Sequence, residues 1–148
     1  MSKENLKFKC WVKESSFFYK FYEIYKERLL RQLLNVVSIH LNRKKVIVGC
    51  KGGVNIPLNF EDIELFAYTG LKDVNGNEIY EGDVLSTGCE EQENYFKVEW
   101  RNNSFRIVTF DNHARNIVIL DDLSIKLNHL ITKGNYHLNE NLYKRDED

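Results

Sequence analysis

Apolar and polar residues first alternate at Lys7-Phe8-Lys9-Cys10-Trp11-Val12-Lys13, a period-two pattern that predicts a short strand with one exposed face. The period then changes. Phe18, Phe21, Tyr22, Tyr25 and Leu29 recur at spacings of three and four, as one apolar stripe of a helix does, so residues 17–35 read as helix. Ser15 and Ser16 are its candidate caps, and Glu27 with Arg31 makes a supporting (i, i+4) pair. The aromatics equally fit a pair of strands around residues 17–25, because aromatic side chains also favour sheets.

Residues 36–41 and 45–50 read as two strands joined by the polar turn Asn42-Arg43-Lys44. Gly52-Gly53 turns the chain into a strand over residues 54–58, which Pro57 either confines to a sheet edge or ends. Farther on, Phe96, Val98 and Trp100 alternate with Lys97 and Glu99 in a half-buried strand. Arg101-Asn102-Asn103-Ser104 then turns into a strand over residues 105–110. Short strands follow at 117–120, 125–127 and 130–132, and residues 144–148 read as a frayed tail. Short strands at this spacing predict a small barrel.

Between these regions lies Tyr68-Thr69-Gly70-Leu71-Lys72-Asp73-Val74-Asn75-Gly76-Asn77-Glu78-Ile79-Tyr80-Glu81-Gly82-Asp83-Val84. Asn75-Gly76 tolerates positive φ and suits a tight turn, which the Asp73 carboxylate pins by accepting from the backbone two residues on. Ile79 and Tyr80 are expected against the core. Glu81-Gly82-Asp83 makes a second turn that launches the next strand.

The same string resembles the signature of the YopX family, small proteins found mostly in bacteriophages and prophages. Lys7-Phe8-Lys9-Cys10-Trp11 is similar to that family's basic, aromatic opening. Gly134-Asn135-Tyr136 with Asn139-Glu140-Asn141-Leu142 is similar to its close, without the family's proline. Residues 17–51 lie outside the resemblance. It implies an SH3-like β-barrel in the C-terminal part, an N-terminal β-containing region that helps assemble oligomers, and no enzyme activity. The fold class expected is therefore α+β and mainly β. A strand–helix–hairpin region over 1–59 precedes a YopX-like SH3-type barrel over 60–148.

Composition narrows the class. An apolar content of 43% supports a packed core and argues against wholesale disorder. No apolar run approaches the roughly 20 residues that span a bilayer, and no apolar stretch follows a basic start as in a secretory signal. The expectation is a cytoplasmic protein with no membrane partner. Cys10, Cys50 and Cys89 are odd in number and widely spaced, which suits free thiols and neither a disulfide framework nor a zinc site.

Charge changes the picture most. Residues 1–53 carry twelve Lys and Arg against four Glu, a balance of +8; residues 54–148 carry nine against eighteen Asp and Glu, a balance of -9. Such a division suits a polyanion-facing half, or halves that neutralise one another within a fold or an oligomer. Lys20, Lys26, Arg28, Arg31, Arg43, Lys44 and Lys45 form the candidate binding surface, with Tyr19, Tyr22 and Tyr25 interleaved for stacking on unpaired bases. The plainer alternative places these aromatics in the core and pairs the cations with the acidic half.

Catalytic and metal chemistry is not visible. Asp73-x-Asn75-Gly76-Asn77-Glu78 lacks the glycine and glutamate positions of a calcium loop, and Gly49-Cys50-Lys51-Gly52-Gly53 lacks phosphate-loop spacing. His40, His113, His129 and His137 lie apart, and Asp121-Asp122 and Glu90-Glu91-x-Glu93 read as solvated acidic pairs. No metal or cofactor is expected, and a hydrolase or nuclease lacks a visible ligand grouping. Gly70, Asp73, Asn75, Gly76, Tyr80, Gly82 and Asp83 count as a structural turn signature. The leading expectation is a phage-encoded, non-enzymatic interaction protein that binds and blocks a host or phage protein, as a homo-oligomer. The alternatives are nucleic-acid binding through the basic half and polyanion mimicry by the acidic half.

Overall fold

The computed structural model describes residues 7–18, 24–87, 94–110 and 118–143. The fold is mainly β: two antiparallel sheets, not closed, with short helices. Two compact units divide between Ala67 and Tyr68.

The first unit holds β1 (Phe8–Val12), β2 (Leu34–His40), β3 (Lys45–Cys50), β4 (Val54–Asn59) and the start of β5 (Ile63–Lys72) in the order β4-β3-β2-β1-β5. β1 pairs with β5 from Phe8↔Ala67 to Val12↔Ile63, so residues 63–67 belong with this unit although the sequence places a boundary near residue 60. Val46 and Val48 on β3 meet Leu58 and Ile56 on β4, and all four are buried. With Cys10, Val12, Leu29, Leu34 and Ile63 they form the core of this unit. On β2, strict alternation would put Leu34, Val36 and Ser38 on one face. A bulge between Val36 and Ser38 resets the phase, so Val36 and Ile39 both pack on the core while Val37 is left exposed.

The long helix expected over residues 17–35 does not form among the described residues. A 3₁₀ turn spans Glu14–Phe18 and a single α-helical turn, α1, spans Lys26–Leu29. Leu30 is already extended, Arg31 is left-handed at φ 54°, and Gln32 Nε2 donates to the Arg28 carbonyl at 2.7 Å. Tertiary pairing overrides helical periodicity because Leu34 is buried opposite Cys10 in the sheet. Tyr25 and Leu29 do face the core as their spacing implies; Phe21, Tyr22 and the side chain of Phe18 lie outside the described residues.

Cys10 and Cys50 are free. Burial, then the neighbouring Cys50, pushes the Cys10 thiol up to about 12, so it packs as a small apolar group. Cys89 lies outside the described residues.

The second unit holds the end of β5 paired with β6 (Glu78–Tyr80), and a five-stranded sheet ordered β10-β9-β8-β7-β11. Its strands are β7 (Asp83–Ser86), β8 (Tyr95–Arg101), β9 (Ser104–Thr109), β10 (Val118–Ile119) and β11 (Ile131–Asn135). Ile79, Leu85, Val98, Ile107, Leu120, Ile125 and Leu130 form its core.

The strand expected at residues 125–127 is instead the helix α2 (Asp122–Leu127). Asp121 Oδ1 accepts from the Ser124 backbone N–H at 2.7 Å, and Ser124 Oγ accepts from the Asp121 N–H at 3.0 Å. This reciprocal cap satisfies two N-terminal donors and starts the helix. One last turn, α3, spans Glu140–Tyr143. Among the described residues no helix is long and apolar enough to cross a membrane.

Candidate functional site

The turn signature is a buried clasp. Asp73 is only 5% exposed; its Oδ1 accepts from the Asn75 and Asn77 N–H groups, each at 2.9 Å. Its Oδ2 accepts from the Thr132 N–H at 3.0 Å and from Asn77 Nδ2 at 3.4 Å. Burial raises the Asp73 carboxyl, but these hydrogen bonds to the charged form outweigh it and hold the group below its ordinary value. Asp83, also buried, accepts on Oδ2 from the Tyr80 N–H at 2.9 Å and the Thr132 hydroxyl at 3.3 Å. Both carboxylates therefore converge on Thr132 of β11.

The glycines fit the same construction. Gly76 at φ 85° closes the Asp73 turn by donating to the Asp73 carbonyl at 3.0 Å. Gly82 at φ 83° donates to the Val98 carbonyl at 2.8 Å and accepts from the Tyr136 N–H at 2.9 Å. Gly70 lies where the β5–β6 register shifts, and Tyr80 is buried with its ring 5.4 Å from that of Tyr68. Asn75 stands exposed at the tip. The cited bonds of Asp73 and Asp83 go to backbone N–H groups, to Asn77 and to Thr132, so the clasp ties its two turns to β11.

The candidate basic surface separates into parts. Arg43, Lys44 and Lys45 sit together at the β2–β3 turn, all exposed. Lys26 and Arg28 lie at the opposite end of that hairpin; burial raises the Cys50 thiol while nearby Arg28 opposes it. The six residues of β3 separate the two groups by about 20 Å at roughly 3.3 Å per residue. Arg31 does not pair with Glu27. Displaced from the helix, its Nε meets Glu14 Oε1 at 3.5 Å, an exposed contact of little energetic weight. Lys20 lies outside the described residues, as do Tyr19, Tyr22, His113 and the acidic group at 90–93.

The remaining histidines are dispersed. His40 Nε2 lies 3.0 Å from Ser38 Oγ, His129 is exposed at φ 51°, and His137 packs 4.1 Å from the Tyr136 ring. Among the described residues no group of three or more His, Cys, Asp or Glu could hold a metal ion.

A surface that sequence reasoning missed lies in the second unit. Trp100 (53% exposed), Val118 (46%), Ile119 (49%), Leu123 (65%) and Leu127 (75%) occupy β8, β10 and α2. Val98, Ile107 and Val118 form one cross-strand row, and Trp100 and Phe105 the next, with their rings edge-to-face at 4.8 Å. The apolar face of this sheet thus runs from the core out into water at Trp100 and Val118, while Ile119, paired with Arg106, lies on the opposite face. β10 has no strand partner on its outer side among the described residues. Alternation groups Trp100 with buried Val98, but Trp100 is one residue from the hairpin turn, where the core no longer covers it. The Asp121-x-x-Ser124 spacing is the signal for α2, and once that is helix Leu123 and Leu127 fall one turn apart.

Comparison with known proteins agrees with this architecture. Protein EF1440 from Enterococcus faecalis, known from its crystal structure, matches with a TM-score of 0.59 and 20% identity, over 94% of this chain and 98% of that one. At that identity the likeness shows the fold alone. No curated protein matches. A family model described as YopX protein matches residues 7–144, which takes in both units and the turn signature. The chain belongs to the YopX family.

Proposed function

We propose that this chain is a phage-encoded, non-enzymatic interaction protein of the bacterial cytoplasm that docks on a host or phage protein and blocks the surface it covers. The observation that supports it is the unpaired β10 edge with its exposed apolar side chains, Val118 on the face it shares with Trp100 and Ile119 on the opposite face, followed by exposed Leu123 and Leu127 on α2. Large apolar side chains left in water on both faces of an open strand edge are what an added strand would cover. An open edge adds backbone donors and acceptors for an incoming strand.

The partner's chemistry follows from the border. Asp121 and Asp122 directly precede Leu123, and residues 68–148 carry nine Lys and Arg against fifteen Asp and Glu. The complementary surface is an apolar ridge or strand edged with basic side chains.

The finer fold belongs to the same proposal. β7, β8, β9 and β10 meander in order, α2 follows, and β11 returns beside β7. That strand order supports an SH3-like barrel for the C-terminal unit. Self-association is part of the reading too, on the opposite charges of the two units.

The test is affinity capture from host lysate, followed by binding of the purified captured protein. Trp100→Ala, Ile119→Lys and Leu127→Asp should each weaken that binding at least tenfold, about 1.4 kcal/mol. A partner held equally by all three variants would exclude this surface.

A further inference from the structure

We propose that the β2–β3 turn of the first unit is a separate site, one that grips the phosphate backbone of duplex nucleic acid. Arg43, Lys44 and Lys45 are consecutive, exposed and without an ion-pair partner among the described residues. Three adjacent cations in one exposed turn sum to a local positive potential that attracts an external anion. The unit as a whole, residues 1–67, carries twelve Lys and Arg against seven Asp and Glu, so the surrounding field reinforces the turn.

The turn is also held in shape. The Lys44 N–H donates to the Leu41 carbonyl at 3.3 Å, the Lys44 carbonyl accepts from the Phe60 N–H at 2.9 Å, and Lys44 is left-handed at φ 52°. Binding therefore costs little ordering of the backbone. Among the described residues β1 pairs with β2 only through Leu34 and Asn35, so the turn end consists of β2, β3 and β4 alone. The exposed β2–β3 tip offers its three cations to the phosphates that border a groove of duplex DNA.

Nearby side chains select the ligand class. Residues 41–45 contain no aromatic and the imidazole of His40 is hydrogen-bonded to Ser38 Oγ at 3.0 Å, so the turn offers no Phe, Tyr or Trp of the kind that stacks single strands or anchors protein interfaces. Leu41 is 74% exposed beside the cations. An apolar side chain among cations at a hairpin tip is what a minor-groove wedge presents to a base step. With only backbone contacts and a wedge, recognition is independent of base sequence.

The experiment measures fluorescence anisotropy of a scrambled-sequence DNA duplex with the full chain. Contact with three phosphates predicts a log–log salt slope of about -2.7, roughly a 40-fold loss of affinity between about 50 and 200 mM salt. The combined variant R43E/K44E/K45E should lose measurable binding, and Lys45→Gln alone should lower the slope by about 0.9. The variant K26E/R28E, altered at the other end of the hairpin, should weaken binding far less than the triple variant, through the reduced field of the unit alone. Far-UV circular dichroism checks that each variant folds, and the single substitution keeps the test sharp if the triple does not. Absent binding at low salt, a slope near zero, unchanged binding by the triple variant or equal weakening by K26E/R28E would overturn the assignment. So would polyglutamate displacing the duplex at matched charge, since the tip would then serve an acidic protein.

Discussion

Asp73 holds four hydrogen bonds on two oxygens, three of them from groups within four residues and one from Thr132 on a strand 59 residues away. The local bonds follow from sequence, since an Asp before Asn-Gly accepts from the backbone two residues on. The distant bond does not, because no local rule specifies which strand will pass beside the turn. Asp73→Ala should destabilise the protein by about 2–4 kcal/mol, because it leaves buried N–H donors without an acceptor. Urea unfolding measures it, and a loss under about 0.5 kcal/mol would contradict the clasp. The pH dependence has a definite sign. The folded carboxyl lies below its unfolded value of about 3.9, so its stabilisation is complete above that value and fades as pH falls through the lowered folded value. Asp73→Asn should remove this part of the acid sensitivity, flattening stability against pH in the acid range relative to the parent. A methyl group added at Gly76 would meet nothing within 4 Å, so Gly76→Ala should cost about 1 kcal/mol from its φ of 85° alone.

At the scale of elements, the two departures from the expected pattern have different causes. Residues 17–35 carry helical spacing, yet Leu34 and Asn35 are strand because Cys10 and Lys9 pair with them. Sheet pairing between distant segments beats a local preference worth only tenths of a kcal/mol per residue. α2 is hidden for the opposite reason. Its signal is wholly local, the Asp121–Ser124 cap, but the short apolar run that follows has the length of a strand. Asp121→Ala and Ser124→Ala should each cost about 1 kcal/mol, and the double variant less than their sum because both act on one cap. Thermal unfolding monitored by circular dichroism would show it, and additive losses would mean that the two residues act independently. On β2, the bulge that exposes Val37 leaves no mark in the alternation itself.

At the scale of the whole molecule, the division of charge follows the division of structure. Residues 1–67 carry twelve basic against seven acidic side chains, and residues 68–148 nine against fifteen. Self-association driven by these opposite units should weaken with salt, since screening shortens their reach to about 3 Å at 1 M. Sedimentation velocity at low and high salt tests this; a monomer throughout the micromolar range would remove self-association from the proposed function. The β2–β3 hairpin and the two signature turns were legible in the chain because residues close in sequence set them, the mainly β class because period-two alternation recurs, and the family because its motif is contiguous. Tertiary structure alone decided that Asp73 and Asp83 meet at Thr132, and that Lys26 and Arg28 lie at the opposite end of β3 from Arg43, Lys44 and Lys45. It also decided that Trp100 emerges from the core while Val98 stays inside. These outcomes depend on which strands become neighbours and where a sheet stops being covered, and no period in the sequence records either.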